Sequence, residues 1–157
     1  VNTILQAAKI AAGKGIITIL NPAPARALPK EIFPYLSVIT PNEKEASMLT
    51  GIPVTNEASA KQACQELGRK GINTIIITRG ARGALVYHNH SFIKIPAQKA
   101  VAVDSTAAGD VFNGALAVAI AENKPMEEAV KFATKAAGIS VTRLGAQASA
   151  PYRKEIR

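Results

Sequence analysis

Apolar residues at helical spacing open the chain. Ile4, Leu5, Ala8, Ala11 and Ala12 share one stripe, and Gly13 and Gly15 stop it. The run GIITIL (15–20) is continuously apolar and predicts a parallel strand covered on both faces. Pro22 and Pro24 make NPAPAR (21–26) a loop, because neither ring nitrogen can donate to a ladder. A short helical piece near 30–35 precedes a brief strand, SVIT (37–40), which Pro41 ends. Asn42 is placed to cap a helix running to Thr50, with Glu45 at the third helical position. A longer helix is predicted over 57–70, closed by Gly71. TIIIT (74–78) is the clearest buried strand. GALVYHNHSFIKI (83–95) predicts a hairpin turning near Asn89, and VAVD (101–104) one more strand. Two helices finish the chain, roughly 110–122 and 125–142.

Strands and helices therefore alternate, apart from the inserted hairpin. That order predicts an α/β, three-layer, Rossmann-like fold with a mostly parallel sheet flanked by helices on both faces. No internal repeat or low-complexity linker interrupts it, so a single domain is expected. In such sheets ligands gather beyond the carboxyl ends of the strands. Asn42, Thr78 and Asp104 all fall at that rim.

Composition narrows the function classes. With 157 residues and 48% hydrophobic positions, the chain can build a sizeable core. The formal net charge of +8 suits anionic partners, nucleotides included. The basic residues are scattered and have no interleaved aromatics, so a nucleic-acid groove is not expected. One cysteine excludes an internal disulfide and fits a reducing cytoplasm. Cys64 lies on a stripe with Ala60, Ala63 and Leu67, which predicts a buried, inert thiol. No apolar run is long enough to span a membrane, and no signal-peptide pattern stands at the start. The helical pattern is already under way at the first residues, so the natural N-terminus is expected upstream. His88 and His90 form an H-x-H without further ligands nearby, which predicts a solvated turn rather than a metal site.

The stretch DSTAAGDVFNGALAVAI (104–120) carries the chemistry. Asp104 ends the predicted strand, a loop of small residues follows, and Gly109 and Asp110 stand at a helix start. First-turn N–H groups and the positive dipole end suit phosphate oxygens. Ala107, Ala108 and Gly109 let an anion approach the backbone closely. A carboxylate at Asp110, beside a phosphate, can take a proton from an attacking hydroxyl. Asp104 could brace the loop or orient a cation. On spacing alone, Asp110 can equally be a helix-capping acid.

These residues resemble the C-terminal signature of the ribokinase family of sugar kinases, an Asp-Thr-x-(Gly/Ala)-Ala-Gly-Asp motif. NPAPAR, TPNEKEASMLTGI, TRGARG and VTRLGAQAS resemble further stretches of that family, in the same order and over nearly the whole chain. The resemblance implies ATP-dependent phosphorylation of D-ribose at O5. It implies Asp110 as catalytic base and Ala107, Ala108 and Gly109 as an anion hole. Asn42 and Glu45 match an Asn-x-x-Glu motif that organises Mg2+ and the phosphates, Glu45 through water. Thr78, Arg79, Gly80, Ala81, Arg82 and Gly83 match the nucleotide-binding loop, with Gly109 and Asp110 also on the nucleotide. Thr134 stands near the adenine, where the family often has His, and Ser105 replaces a motif Thr. The resemblance also implies an activating K+ surrounded by Asp104, Thr106, Ser140, Arg143, Gly145 and Ser149.

Family members are about twice this length. The chain therefore corresponds to the nucleotide-binding half, over 1–157, without the N-terminal sugar-binding half and its lid. Alone it is expected to expose a sheet edge, to be poorly stable and to be inactive on ribose. The complete protein is expected to be a cytoplasmic homodimer acting on a small-molecule sugar, with neither a nucleic-acid nor a membrane partner. Two other readings remain at this stage: a nucleotide-binding module without turnover, and a kinase of another sugar or nucleoside in the same family.

Overall fold

The computed structural model describes residues 2–156, which pack as two compact units. The first comprises the chain up to Arg79 together with Leu85–Ile93. The second comprises Gly80–Ala84 and the chain from Lys94 onward.

In the first unit, helix α1 (Asn2–Gly13) is followed by strand β1 (Ile19–Leu20), a 3-10 helix (Lys30–Tyr35) and strand β2 (Val38–Ile39). Helices α2 (Glu43–Thr50) and α3 (Glu57–Arg69) lead to strand β3 (Thr74–Thr78). Strands β4 (Ala84–His88) and β5 (Ser91–Ile95) complete a sheet of order β1-β2-β3-β4-β5. The first three strands are parallel, with Ile19 opposite Val38 and Val38 opposite Thr74. The hairpin turns at Asn89 and His90, both at positive φ (48° and 61°), as a two-residue type I′ turn requires. Thr74 Oγ1 lies 2.8 Å from His88 Nδ1, which sets the start of β3 beside the end of β4.

The fold is thus α/β with a largely parallel sheet, as the alternation predicts. Thr74, Ile75, Ile76 and Ile77 are all buried, so β3 is covered on both faces. Ile75 and Ile77 join one core cluster with Ile39, Leu49, Ala63, Cys64, Leu67 and Leu85. The stripe Ala60, Ala63, Cys64 and Leu67 on α3 is entirely buried, and burial pushes the Cys64 thiol up to about 12. His90 Nδ1 lies 3.3 Å from the Tyr87 hydroxyl. Among the described residues no cluster of His, Cys, Asp and Glu is placed to hold a metal ion.

In the second unit, helix α4 (Ala108–Ala121) and helix α5 (Met126–Ser140) form a hairpin of helices. Asn123 adopts φ 57° at its turn. Phe112, Leu116 and Ala119 of α4 are buried, as are Ala129, Val130, Ala133 and Ala136 of α5. A further 3-10 turn covers Arg153–Glu155.

Two predicted strands are corrected. Only Ile19–Leu20 of 15–20 is a strand. The Ile16 amide is used by the C-terminus of α1, donating to Ala11 O at 2.9 Å. The Thr18 amide donates to Ser37 Oγ while Thr18 O accepts from Val38 N, so the ladder begins only at the end of this stretch, and Ile16 and Ile17 stay more than half exposed. The stretch 101–104 is not a strand at all. The amides of Val103 and Asp104 converge on one carbonyl, Val141 O, at 2.7 and 3.1 Å, a pattern no ladder can continue. Among the described residues no helix is long and apolar enough to cross a membrane.

Because Ile75 is fully buried within the cluster, truncation leaves a cavity that the strand cannot close. Ile75→Ala is expected to lower the unfolding free energy by about 2–5 kcal/mol. A urea titration would read it as a lower midpoint at unchanged slope.

Candidate functional site

In the first unit, the strand ends hand their residues to helix starts. Beyond β2, Thr40 N donates to Leu20 O at 3.0 Å. Beyond β3, Thr78 N donates to Pro41 O at 2.9 Å, and Asn42 and Thr78 form an isolated parallel bridge. Asn42 and Thr78 are therefore brought together. Asn42 caps α2: its Oδ1 accepts from Glu45 N at 2.9 Å, while Glu45 Oε2 accepts from Asn42 N at 2.8 Å. This is the expected capping box. It buries the Glu45 carboxylate to 6% exposure, with one oxygen committed to the cap.

Next to Thr78, Arg79 Nε lies 3.1 Å from Glu43 Oε1, in a pair whose side chains are only 10% and 22% exposed. Sequence reasoning missed Glu43, since nothing in residue spacing joins positions 36 apart. The pair ties the first turn of α2 to the residue after β3.

In the second unit, Gly80–Arg82 form a 3-10 turn closed by Gly83 N donating to Gly80 O at 2.9 Å. Gly80 and Gly83 have φ of 56° and 81°. A Cβ on Gly83 would stand 2.6 Å from Ala97 N and strike Ile95 O, so no side chain fits there.

Asp104 staples two loops together. Its Oδ1 accepts from Thr106 N at 2.8 Å and its Oδ2 from Gly145 N at 3.0 Å. The hydrogen bonds from Thr106, followed by the one from Gly145, hold this carboxyl below its ordinary range. Ser140 and Ser149, both fully buried, join hydroxyl to hydroxyl at 3.0 Å, and Ser149 Oγ donates to Ala146 O at 2.9 Å. Arg143 meets Glu155 at 2.5 Å, and Glu155 also accepts from Tyr152 N at 2.7 Å. The six residues Asp104, Thr106, Ser140, Arg143, Gly145 and Ser149 are thus concentrated on the loop after α5 and the segment it anchors. Their polar side chains offer oxygen donors apart from Arg143. Glu155, the partner of Arg143, was not visible from the sequence.

Ala107 opens α4 with φ 61° and provides no side-chain cap. A first helical turn has amides without i−4 partners, and here no capping side chain covers them. A Cβ on Gly109 would meet only open space, Asp110 is exposed at the third helical position, and Asn113 Nδ2 donates to Gly109 O at 2.8 Å. Ala107 and Asp110 stand at one end of a cavity of about 560 Å3. Thr134 is buried on α5, and its Oγ1 has no hydrogen-bond partner among the described residues.

The chain belongs to the pfkB family of carbohydrate kinases, which matches residues 1–153. Within that family its relatives include the ribokinase of Haemophilus influenzae, 46% identical over 95% of this chain and 49% of that protein. The ribokinase of Staphylococcus aureus is 41% identical over 98% of this chain and 51% of that protein. Among solved structures, an Arabidopsis thaliana ribokinase complexed with ribose and ATP superposes with a TM-score of 0.94 at 32% identity, covering 98% of this chain and 50% of that one. The chain spans about half the length of the relatives it matches.

The Asp104 staple has a defined pH response. Its folded pKa lies below the unfolded value of about 3.9. Its contribution to stability is therefore complete above that value and is lost as pH falls through the folded value. An NMR titration should place the Asp104 carboxyl below ordinary aspartates, with the Gly145 amide shift following the same curve. A carboxyl titrating at about 3.9 would remove the staple.

Proposed function

We propose that the complete protein built on this chain phosphorylates D-ribose at O5 with ATP, and that this chain is its nucleotide-binding half. The observation that carries the reading is the uncapped turn Ala107–Gly109 with Asp110 following it, in a chain 46% identical to a ribokinase. In this reading Asp110 accepts the proton of the sugar hydroxyl as its oxygen attacks the γ-phosphorus. The amides opening α4 stabilise the charge that develops on the transferring group. Thr78–Gly83 hold the nucleotide, with Gly80, where a Cβ would meet only open space, allowing close backbone approach, and Gly83 packing the loop against Ile95 and Ala97. Thr134 sits near the base, where its unpartnered buried hydroxyl leaves a hydrogen-bonding group available to a ligand.

Mg2+ would neutralise phosphate charge when bound. Asn42 and Glu45 fit it only indirectly: one Glu45 oxygen is engaged in the cap, which favours contact through water. K+ would be held by the loops that Asp104 staples, where the serine hydroxyls and backbone carbonyls form an all-oxygen donor set compatible with it. The protein so completed is proposed to be a cytoplasmic homodimer without nucleic-acid or membrane partners.

A second reading, phosphorylation of a related sugar, is favoured by the 37% identity to a deoxyribokinase of Salmonella typhi over 95% of this chain. A substrate panel of ribose, deoxyribose, fructose and adenosine on the complete protein separates the two by kcat/KM.

Asp110→Asn in the complete protein is expected to lower kcat by about 10²–10⁴ while leaving the Kd for ATP within about twofold. Retained turnover would remove Asp110 as the base. Replacing K+ by Na+ at constant ionic strength is expected to lower activity. Identical rates in both salts would overturn the K+ assignment.

A further inference from the structure

The loop after α5 carries an arginine where a cation is proposed to bind. The Arg143 amide donates to Ser140 O at 3.0 Å, and two residues further on the Gly145 amide donates to Asp104 Oδ2 at 3.0 Å. The Arg143 side chain is about one-third exposed, so solvent screens its charge only in part. Among the residues proposed to surround K+, Asp104 brings the only negative charge and Arg143 the only positive one. The two cancel, and a cation leaving water for such a loop would gain no net ionic attraction.

Glu155 changes that balance. Its Oε1 lies 2.5 Å from Arg143 Nη2, and its Oε2 accepts from Tyr152 N at 2.7 Å. The 3-10 turn Arg153–Glu155 brings it there, and that turn is itself anchored. Arg153 donates to Glu122 Oε2 at 2.8 Å and lies 4.4 Å over the Phe132 ring. The charge of Arg153 is thus answered by Glu122, and Lys154 is exposed, where solvent screens it. Glu155 is left to answer Arg143.

We propose that Glu155 is a positioning residue for a monovalent-cation site in the loops that Asp104 staples: by neutralising Arg143 it leaves the charge of Asp104 available to the cation. The inference rests on the K+ reading above. It differs from a merely structural role of the pair in one respect. If the pair only clasped the chain end to the loop, losing either partner would have the same consequence. If it sets the field at the loop, the two partners act with opposite sign.

The test uses the complete protein and KCl, with choline chloride holding the ionic strength. The apparent Kd for K+ is read from the rise of the melting temperature with KCl. Glu155→Gln keeps the shape and an acceptor for the Tyr152 amide but loses the charge, and is expected to raise that Kd about threefold to tenfold. Arg143→Met keeps the backbone carbonyl and breaks the same pair, yet is expected to lower the Kd. The K+ concentration that half-saturates activity should move in the same two directions. A similar rise in both variants overturns the proposal, as does an unchanged Kd in Glu155→Gln. Should Glu155→Gln not fold, adding it to Arg143→Met removes the carboxylate where no ion pair is left to break. The Kd should then rise about threefold to tenfold above that of Arg143→Met, and no rise overturns the proposal. If the unsubstituted protein melts at the same temperature in KCl and in choline chloride, the K+ reading falls and this inference with it. If it responds to KCl while the variants shift with the same sign, this inference alone falls.

Discussion

A strand buried on both faces and paired on both edges fixes its own position to within a residue, and β3 is such a strand. One face contributes Ile75 and Ile77 to the core cluster, and Ile76 is equally buried on the other. Shifting it by one residue would exchange every side chain between faces. That rigidity matters because Thr78 lies at its end. With the register fixed, the bridge from Thr78 to Asn42 places the start of α2, and the capping box then fixes the direction of the helix. The pair Glu43–Arg79 adds a side-chain tie at the same junction. A buried sheet thereby delivers polar residues to its rim with little freedom left to lose when a ligand arrives.

The second unit reaches a similar result without a sheet of its own. There a single carboxylate replaces the ladder. Asp104 accepts amides from residues on two loops, and Val141 O collects two amides from the segment leading to Asp104. Ser140 and Ser149 close the same loop from inside. Such a closed set of hydrogen bonds holds the loop's backbone in fixed positions.

Much of this was legible in the sequence, for physical reasons that also explain the failures. The α2 capping box, the α3 stripe around Cys64, the buried TIIIT strand and the Asn89 hairpin are all written in local spacing, and local spacing is what a sequence displays. GIITIL and VAVD misled because β propensity needs a partner strand, and their amides go to Ala11, to Ser37 and to Val141 instead. Glu43 and Glu155 were invisible because each finds its arginine across 36 or 12 positions. The motif 104–110 suggested the chemistry by resemblance and a helix start by pattern, and α4 does begin within it, at Ala108. Its αL residue, Ala107, was not foreseen, since alanine seldom adopts that conformation.

The charges near the site decide what can bind phosphate. The chain is strongly basic, yet the arginines nearest the proposed machinery are already engaged. Arg79 is held by Glu43, Arg143 by Glu155, and Arg153 by Glu122 while lying over the Phe132 ring. A guanidinium in a half-buried ion pair offers less of its field to a ligand than a free one does. Backbone amides carry no counter-charge and need no rearrangement, so in the proposed reading the start of α4 would be the anion-binding element, while the Gly83 amide is already engaged by Gly80 O. The same reasoning gives Ala107 its purpose. An αL residue before the first turn leaves the helix without a capping side chain, at a cost of about 1–2 kcal/mol in backbone strain. In the proposed reading, a Ser or Asn cap there would compete for the amides that a transferring phosphate would use.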